Sequence, residues 1–206
     1  MRSYDSARRI EKQLLTRAQI IEAAKFEFEE KGFREASIRS IALKCGVASG
    51  TVLTHFSTKQ DLCHSALFDD LEKVCQEAIQ APTTGSLHHD YVAVAAKLYS
   101  YYADRPALSR ELLRESLFAE DPWRQRFMQQ VLDVNQALTA WAIEAMKERR
   151  LASEINPVLL ASSFLSFYYF ALIGWMQEGL PDPLPAVEAM LSQHLHGMTL
   201  SPETHD

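Results

Sequence analysis

Apolar residues recur along this chain three and four positions apart, and no useful stretch alternates apolar with polar residues. The pattern therefore predicts helices and no strands. Ile20, Ile21, Ala24 and Phe28 form the first such stripe. Ahead of it, Leu15-Thr16-Arg17-Ala18-Gln19-Ile20 reads as a capping box of Thr16 with Gln19, plus a hydrophobic staple of Leu15 with Ile20. Gly32 followed by Phe33 reads as a left-handed helix ending, with Phe33 packing back on Phe28. The first helix is thus expected over roughly 17–31. Further along, Asp121-Pro122, Asn156-Pro157 and Asp182-Pro183 each pair an N-cap oxygen with a proline at the first helical position, where a missing N–H costs nothing. Gly179 and Gly197 stand where C-terminal caps belong. These marks predict helices of roughly 59–80, 87–104, 106–119, 122–150, 157–178 and 183–196, with Ala81-Pro82-Thr83-Thr84-Gly85-Ser86 as a loop.

Two shorter helices complete a total of about nine, all-α. Ser37-Ile38-Arg39-Ser40-Ile41-Ala42-Leu43-Lys44 has Ser37 as its cap and Ile38, Ile41 and Ala42 facing inward. After Cys45, Gly46 supplies a tight turn and Val47 an apolar pin, and a second short helix follows over about 48–55. Helices this short are not stable alone in water. Two in tandem behind a long amphipathic helix suggest a helix-turn-helix, with a plain αα-corner as the alternative.

Composition changes the picture at three points. The net charge of -6 divides unevenly: residues 1–65 hold 11 Lys/Arg against 8 Asp/Glu, a net of +3, leaving -9 for residues 66–206. A basic head can meet phosphate while an acidic body stays in solvent. Cys45, Cys63 and Cys75 are too few and too irregular for a disulfide framework, so they read as small apolar residues of a reducing, cytoplasmic protein. Residues 157–177 carry no charge and are long enough to span a bilayer. Three serines, two tyrosines and no flanking Lys/Arg argue instead for a helix buried between its own domain and a partner subunit. A small membrane-anchored or interaction protein, with 157–177 as its anchor, is the rival reading.

Thr16 to Leu67 resembles the N-terminal domain of TetR (tetracycline-repressor) regulators. The resemblance centres on Gly46-Val47-Ala48-Ser49-Gly50-Thr51-Val52-Leu53-Thr54-His55-Phe56-Ser57-Thr58-Lys59 and Asp61-Leu62, with Ile41-Ala42 before the turn. It implies a ligand-responsive, homodimeric repressor of a palindromic double-stranded DNA operator. Residues 1–58 would be arm and DNA-binding domain, and 59–206 a helical effector-binding and dimerisation domain. By this resemblance Arg39, Ser49, Gly50 and Thr54 face base edges, while Ser37, Thr51, His55 and Lys59 face phosphates. Arg39 is also suited to read guanine bidentately. Two positions depart from the family pattern: Ala48 replaces the usual hydroxyl cap, leaving Ser49 to cap the helix, and Leu53 replaces a tyrosine that touches phosphate. The arm, with Arg2, Arg8, Arg9 and Lys12, is either a further DNA contact or a disordered tail.

The resemblance fades beyond about residue 70, and composition takes over. Aromatics crowd the later helices, and most belong to a core. Tyr99, Tyr102, Phe118, Trp123, Phe127, Trp141, Phe167 and Tyr168 are the candidates to line a largely apolar effector pocket. The face of 157–178, with Ser162, Ser163 and Ser166 permitting close approach, is expected to form the homodimer together with 183–196. His88-His89-Asp90 and His194-x-His196 lack metal-ligand spacing, so no metal or cofactor is expected. No nucleophile, phosphate-loop or paired-carboxylate motif points to an enzyme.

Overall fold

The computed structural model describes residues 2–81, 83–118 and 120–197; Pro82, within the expected loop, lies outside them. Among the described residues it holds nine helices and no strand: α1 (Arg2–Glu35), α2 (Ile38–Lys44), α3 (Ser49–His55), α4 (Lys59–Ile79), α5 (Leu87–Asp104), α6 (Pro106–Leu117), α7 (Trp123–Lys147), α8 (Pro157–Met176) and α9 (Pro183–Gly197). They fall into two compact units, Met1–Asp70 with Arg105–Arg124 and Leu71–Asp104 with Gln125–Asp206, so α4 contributes one half to each.

Most boundaries follow the predicted punctuation. Asn156 Oδ1 accepts from the N–H groups of Val158 (3.0 Å) and Leu159 (3.2 Å), and Asp182 Oδ1 accepts from Leu184 N–H (3.0 Å). Four boundaries depart from it for a local reason, and α7 also ends at Lys147, short of the expected 150. First, α1 begins at Arg2, not near residue 17, because residues 2–16 contain no glycine or proline to stop it. Thr16 is therefore an interior residue whose hydroxyl donates to Lys12 O (2.9 Å), and Leu15 is exposed where a staple would bury it. Arg8, Arg9 and Lys12 accordingly sit on a helix; the side chain of Arg2 lies outside the described residues. Second, α3 is preceded by Ala48 with no side-chain cap, and Ser49 is its first helical residue. Third, α7 begins at Trp123, because the Asp121 carboxylate binds the Arg124 guanidinium (2.9 Å). Fourth, the left-handed residue after α8 is Glu178 (φ 62°), one before the expected Gly179. Gly32 (φ 73°) does break α1 as expected, with the Phe28 and Phe33 rings 5.7 Å apart.

In the first unit Ile20, Ala24, Phe28, Ile41, Val52, Phe56, Leu62 and Phe68 form the core. There α6 packs on α1, and Glu29 Oε2 accepts from Leu108 N–H (3.0 Å), satisfying an α6 N-terminus that its own Arg105 does not cap. The second unit packs α5, α8 and α9 together, with Tyr91, Leu138, Leu160, Phe164 and Leu172 fully buried. Tyr91 donates to Leu138 O (2.8 Å) and Tyr99 to Tyr168 O (2.9 Å), so both buried hydroxyls are satisfied.

Candidate DNA interface and ligand cavity

Two short helices make the turn that sets the DNA-reading surface. Ser37 accepts from Ser40 N–H (3.1 Å) and Ser40 Oγ from Ser37 N–H (3.3 Å), a reciprocal box that starts α2. Gly46 (φ 70°) supplies the left-handed step, after which Val47 N–H returns to Ala42 O (3.0 Å). Val52 and Phe56 then fix the inner side of α3. Buried Glu27 on α1 holds α2 from behind, paired with Lys31 (2.5 Å) and Lys44 (3.2 Å). Burial pushes its carboxyl up, but hydrogen bonds from Lys31, Ser40 and Lys44 outweigh that and bring it down to about 2.

Of the residues expected at DNA, Arg39 on α2 and Gly50 and Thr54 on α3 are exposed, while Ser49, Thr51 and His55 are half-buried. Ser37 is exposed, with its hydroxyl engaged in its own cap. Lys59, expected to face phosphate, has its ammonium turned inward. Its ammonium donates to the carbonyls of Phe33 (2.7 Å), Ala36 (2.9 Å) and Arg34 (3.2 Å) and lies 4.5 Å from the Phe33 ring centre. A lysine holding the frayed end of α1 has no donor to spare for phosphate. The first turn of α4 is instead capped by Thr58, whose hydroxyl accepts from Asp61 N–H (2.9 Å).

The eight aromatics expected around an effector do not share one cavity. Tyr102, Phe127 and Tyr168 do line a small cavity of about 30 Å³, together with Leu71, Cys75, Leu98, Gln130, Val131, Val134, Leu165 and Tyr169. Tyr99 lies outside that lining, stacked on Tyr168 at 5.0 Å. Phe167 packs edge-on against His194, and Trp141 lines a separate cleft of about 250 Å³ with Glu77, Asp90 and Lys97. Phe118 and Trp123 belong to the first unit, on an open cleft of about 590 Å³ with Asp61, His64 and Asp121. Periodicity assigns a residue to a helix face but not to the neighbour that face meets. The missed lining residues Gln130, Val131 and Val134 on α7, and Leu165 and Tyr169 on α8, nonetheless share stripes with the expected Phe127 and Tyr168.

None of the residues lining the small cavity carries a formal charge. Burial pushes the Cys75 thiol up to about 12, with the Glu72 and Asp133 carboxylates adding to it. Burial likewise pushes the Tyr102, Tyr168 and Tyr169 phenols well above their usual range. All four groups are therefore neutral at physiological pH.

The family model described as bacterial regulatory proteins, tetR family, matches residues 20–66, which span the helix-turn-helix. The regulator UidR of Escherichia coli is 24% identical over 187 residues, covering 89% of this chain and 90% of UidR. TtgR of Pseudomonas putida is 26% identical over 198 residues, covering 91% and 93%. Residues 20–66 thus carry the TetR-family DNA-binding domain, and the chain as a whole is similar to TetR-family transcriptional regulators. Solved structures agree on the fold. A TetR regulator from Haloarcula marismortui superposes with a TM-score of 0.74 at 20% identity, covering 89% of this chain and 97% of its own. FadR of Bacillus subtilis, solved in complex with stearoyl-CoA, gives 0.68 at 20% identity over 87% and 98%. The helix-turn-helix lies within the matched residues, and its exposed α2 and α3 side chains are the ones to test at DNA.

Proposed function

We propose that this protein is a cytoplasmic, homodimeric repressor of a palindromic operator, released by a small, neutral, largely apolar effector. The carrying observation is the pair of short helices whose outer side leaves Arg39, Gly50 and Thr54 exposed while Val52 and Phe56 anchor them from within. Arg39, Ser49, Gly50 and Thr54 face base edges, and Thr51 and His55 face the backbone. In this reading residues 1–58 recognise DNA, and 59–206 sense the effector and dimerise.

The dimer reading is supported by α8, whose apolar length buries Leu160, Phe164, Tyr168 and Leu172 and leaves Val158, Leu159, Phe170 and Ile173 exposed. Ser166 turns its hydroxyl onto Ser162 O (2.9 Å), which leaves a smooth surface for a second copy, whereas Ser162 accepts from Asn135 of α7 (3.1 Å). By length and composition α8 is also long and apolar enough to cross a membrane. A face packed on α5 and α9 favours the dimer. The effector reading is supported by the uncharged cavity around Tyr102, Phe127 and Tyr168, which must widen to admit a ligand. Release requires that the ligand bind the two states with different affinity.

Light scattering without detergent tests the assembly: twice the 23.4 kDa chain mass is expected at micromolar concentration. A 23.4 kDa species alone, or a chain that needs detergent, overturns it. Gln130→Arg, which brings a charge to the cavity, should abolish effector release while operator binding persists. Unchanged release by Gln130→Arg would place the effector elsewhere.

A further inference from the structure

We infer that α3 reads its operator by apolar contact, with Leu53 and the methyl group of Thr54 seated against thymine C5-methyl groups in the major groove. This rests on the reading of α3 as the recognition helix. The inner side of α3 is accounted for by Val52, with Phe56 just beyond it, both buried. Gly50, Leu53 and Thr54, spaced three and four apart, lie together on the other side, and all three are exposed. Leu53 leaves half of its surface in water. The exposed half of Leu53 stands beside Gly50 and Thr54, on the side of α3 that meets DNA in this reading.

Two neighbours sharpen that contact. Thr54 Oγ1 donates to Gly50 O (2.9 Å), so its proton is not available to the acceptors that line the major groove. What Thr54 offers outward is a methyl group and an oxygen that can only accept. Gly50 has an ordinary helical backbone, and a Cβ built on it would meet nothing within 4 Å. A glycine weakens a helix relative to alanine, and neither space nor backbone angle demands one here. Its effect is to let another surface come close beside Leu53. The one apolar group on the major-groove edges of DNA is the thymine methyl; every other edge presents donors or acceptors that a leucine would desolvate without pairing. Arg39, exposed on α2, supplies the polar contact, leaving α3 to favour A·T pairs through shape and methyl burial.

Deoxyuridine in place of thymine tests this, because it keeps pairing and the O4 acceptor and removes only the methyl. Thymines of an operator selected with the full chain are replaced singly, and affinity is measured for the native protein, Leu53→Ala and Thr54→Ser. One or two positions per half-site should weaken native binding about fourfold each, the worth of burying one methyl group. Leu53→Ala should lose the penalty at one position, and Thr54→Ser, which keeps the hydroxyl, at another. Native binding that is indifferent to every replacement overturns the inference, as does a full penalty retained by both variants. Both residues are exposed, and matching melting curves would exclude misfolding. Failure of the recognition-helix reading looks different: no operator is enriched at all, or drastic changes to α3 leave binding intact.

Discussion

Replacing Lys59 with alanine separates a structural lysine from a phosphate-binding one. Its ammonium holds three carbonyls at the end of α1 and sits over the Phe33 ring. Hydrogen bonds from a charged group are worth about 1.5–3 kcal/mol before rehydration of the partners. A partly exposed cation–π contact adds about 0.5–1 kcal/mol. Arg34 is exposed, so water can replace the lysine at the adjoining carbonyl, and the net loss expected for Lys59→Ala is about 2–3 kcal/mol. For a chain of this size that lowers the melting temperature by roughly 4–12 °C. The salt dependence of operator binding, measured below the transition, should keep its slope, because no phosphate contact is lost. Calorimetry and anisotropy titrations at several salt concentrations read both quantities. An unchanged melting temperature, together with a slope reduced by about one unit per half-site, would refute the reasoning and return Lys59 to the DNA backbone.

Other outcomes follow from the same contacts. Because the Glu27 carboxyl is held down to about 2, its contribution to stability should be present above about pH 4.5 and fade as the pH falls towards 2. Glu27→Gln should flatten that part of the melting profile. Ala48→Asp should stabilise α3 by about 0.5–1 kcal/mol, since the helix now starts without a side-chain cap; equal or lower stability would mean that the cap position is wrong. Phe170→Asp, on the exposed face of α8, should convert the dimer to monomer in light scattering and weaken operator binding, whereas an intact dimer would remove α8 from the interface.

The helices were legible because their ends carry local chemistry. Ser37, Asn156 and Asp182 act on backbone groups within three residues, and Gly46 takes the left-handed step itself. Misreadings arose where one local pattern has two outcomes. Thr16 three residues before Gln19 suits an N-cap, yet the same hydroxyl bonds back to Lys12 inside a longer helix. Glu178 takes a strained conformation although glycine follows it, because the turn that returns the N–H groups of Gly179 and Leu180 to Gly174 O needs its bend one residue earlier. Lys59 finds its carbonyls 23 to 26 residues away, a distance that no local motif records. The aromatics scattered for the same reason: Trp123 meets His64 and Phe68, whereas Tyr102 meets the α7 and α8 stripes.

Operator selection with the purified chain tests the central claim most directly. From random duplexes, the account predicts enrichment of a two-fold symmetric sequence whose half-sites are centred one helical turn apart or a multiple of it, about 10 base pairs per turn. Binding to it should weaken steeply with salt and lose specificity in Arg39→Ala. A pool that stays random, or an enriched site bound equally well by Arg39→Ala and by variants with α3 rebuilt, would contradict it.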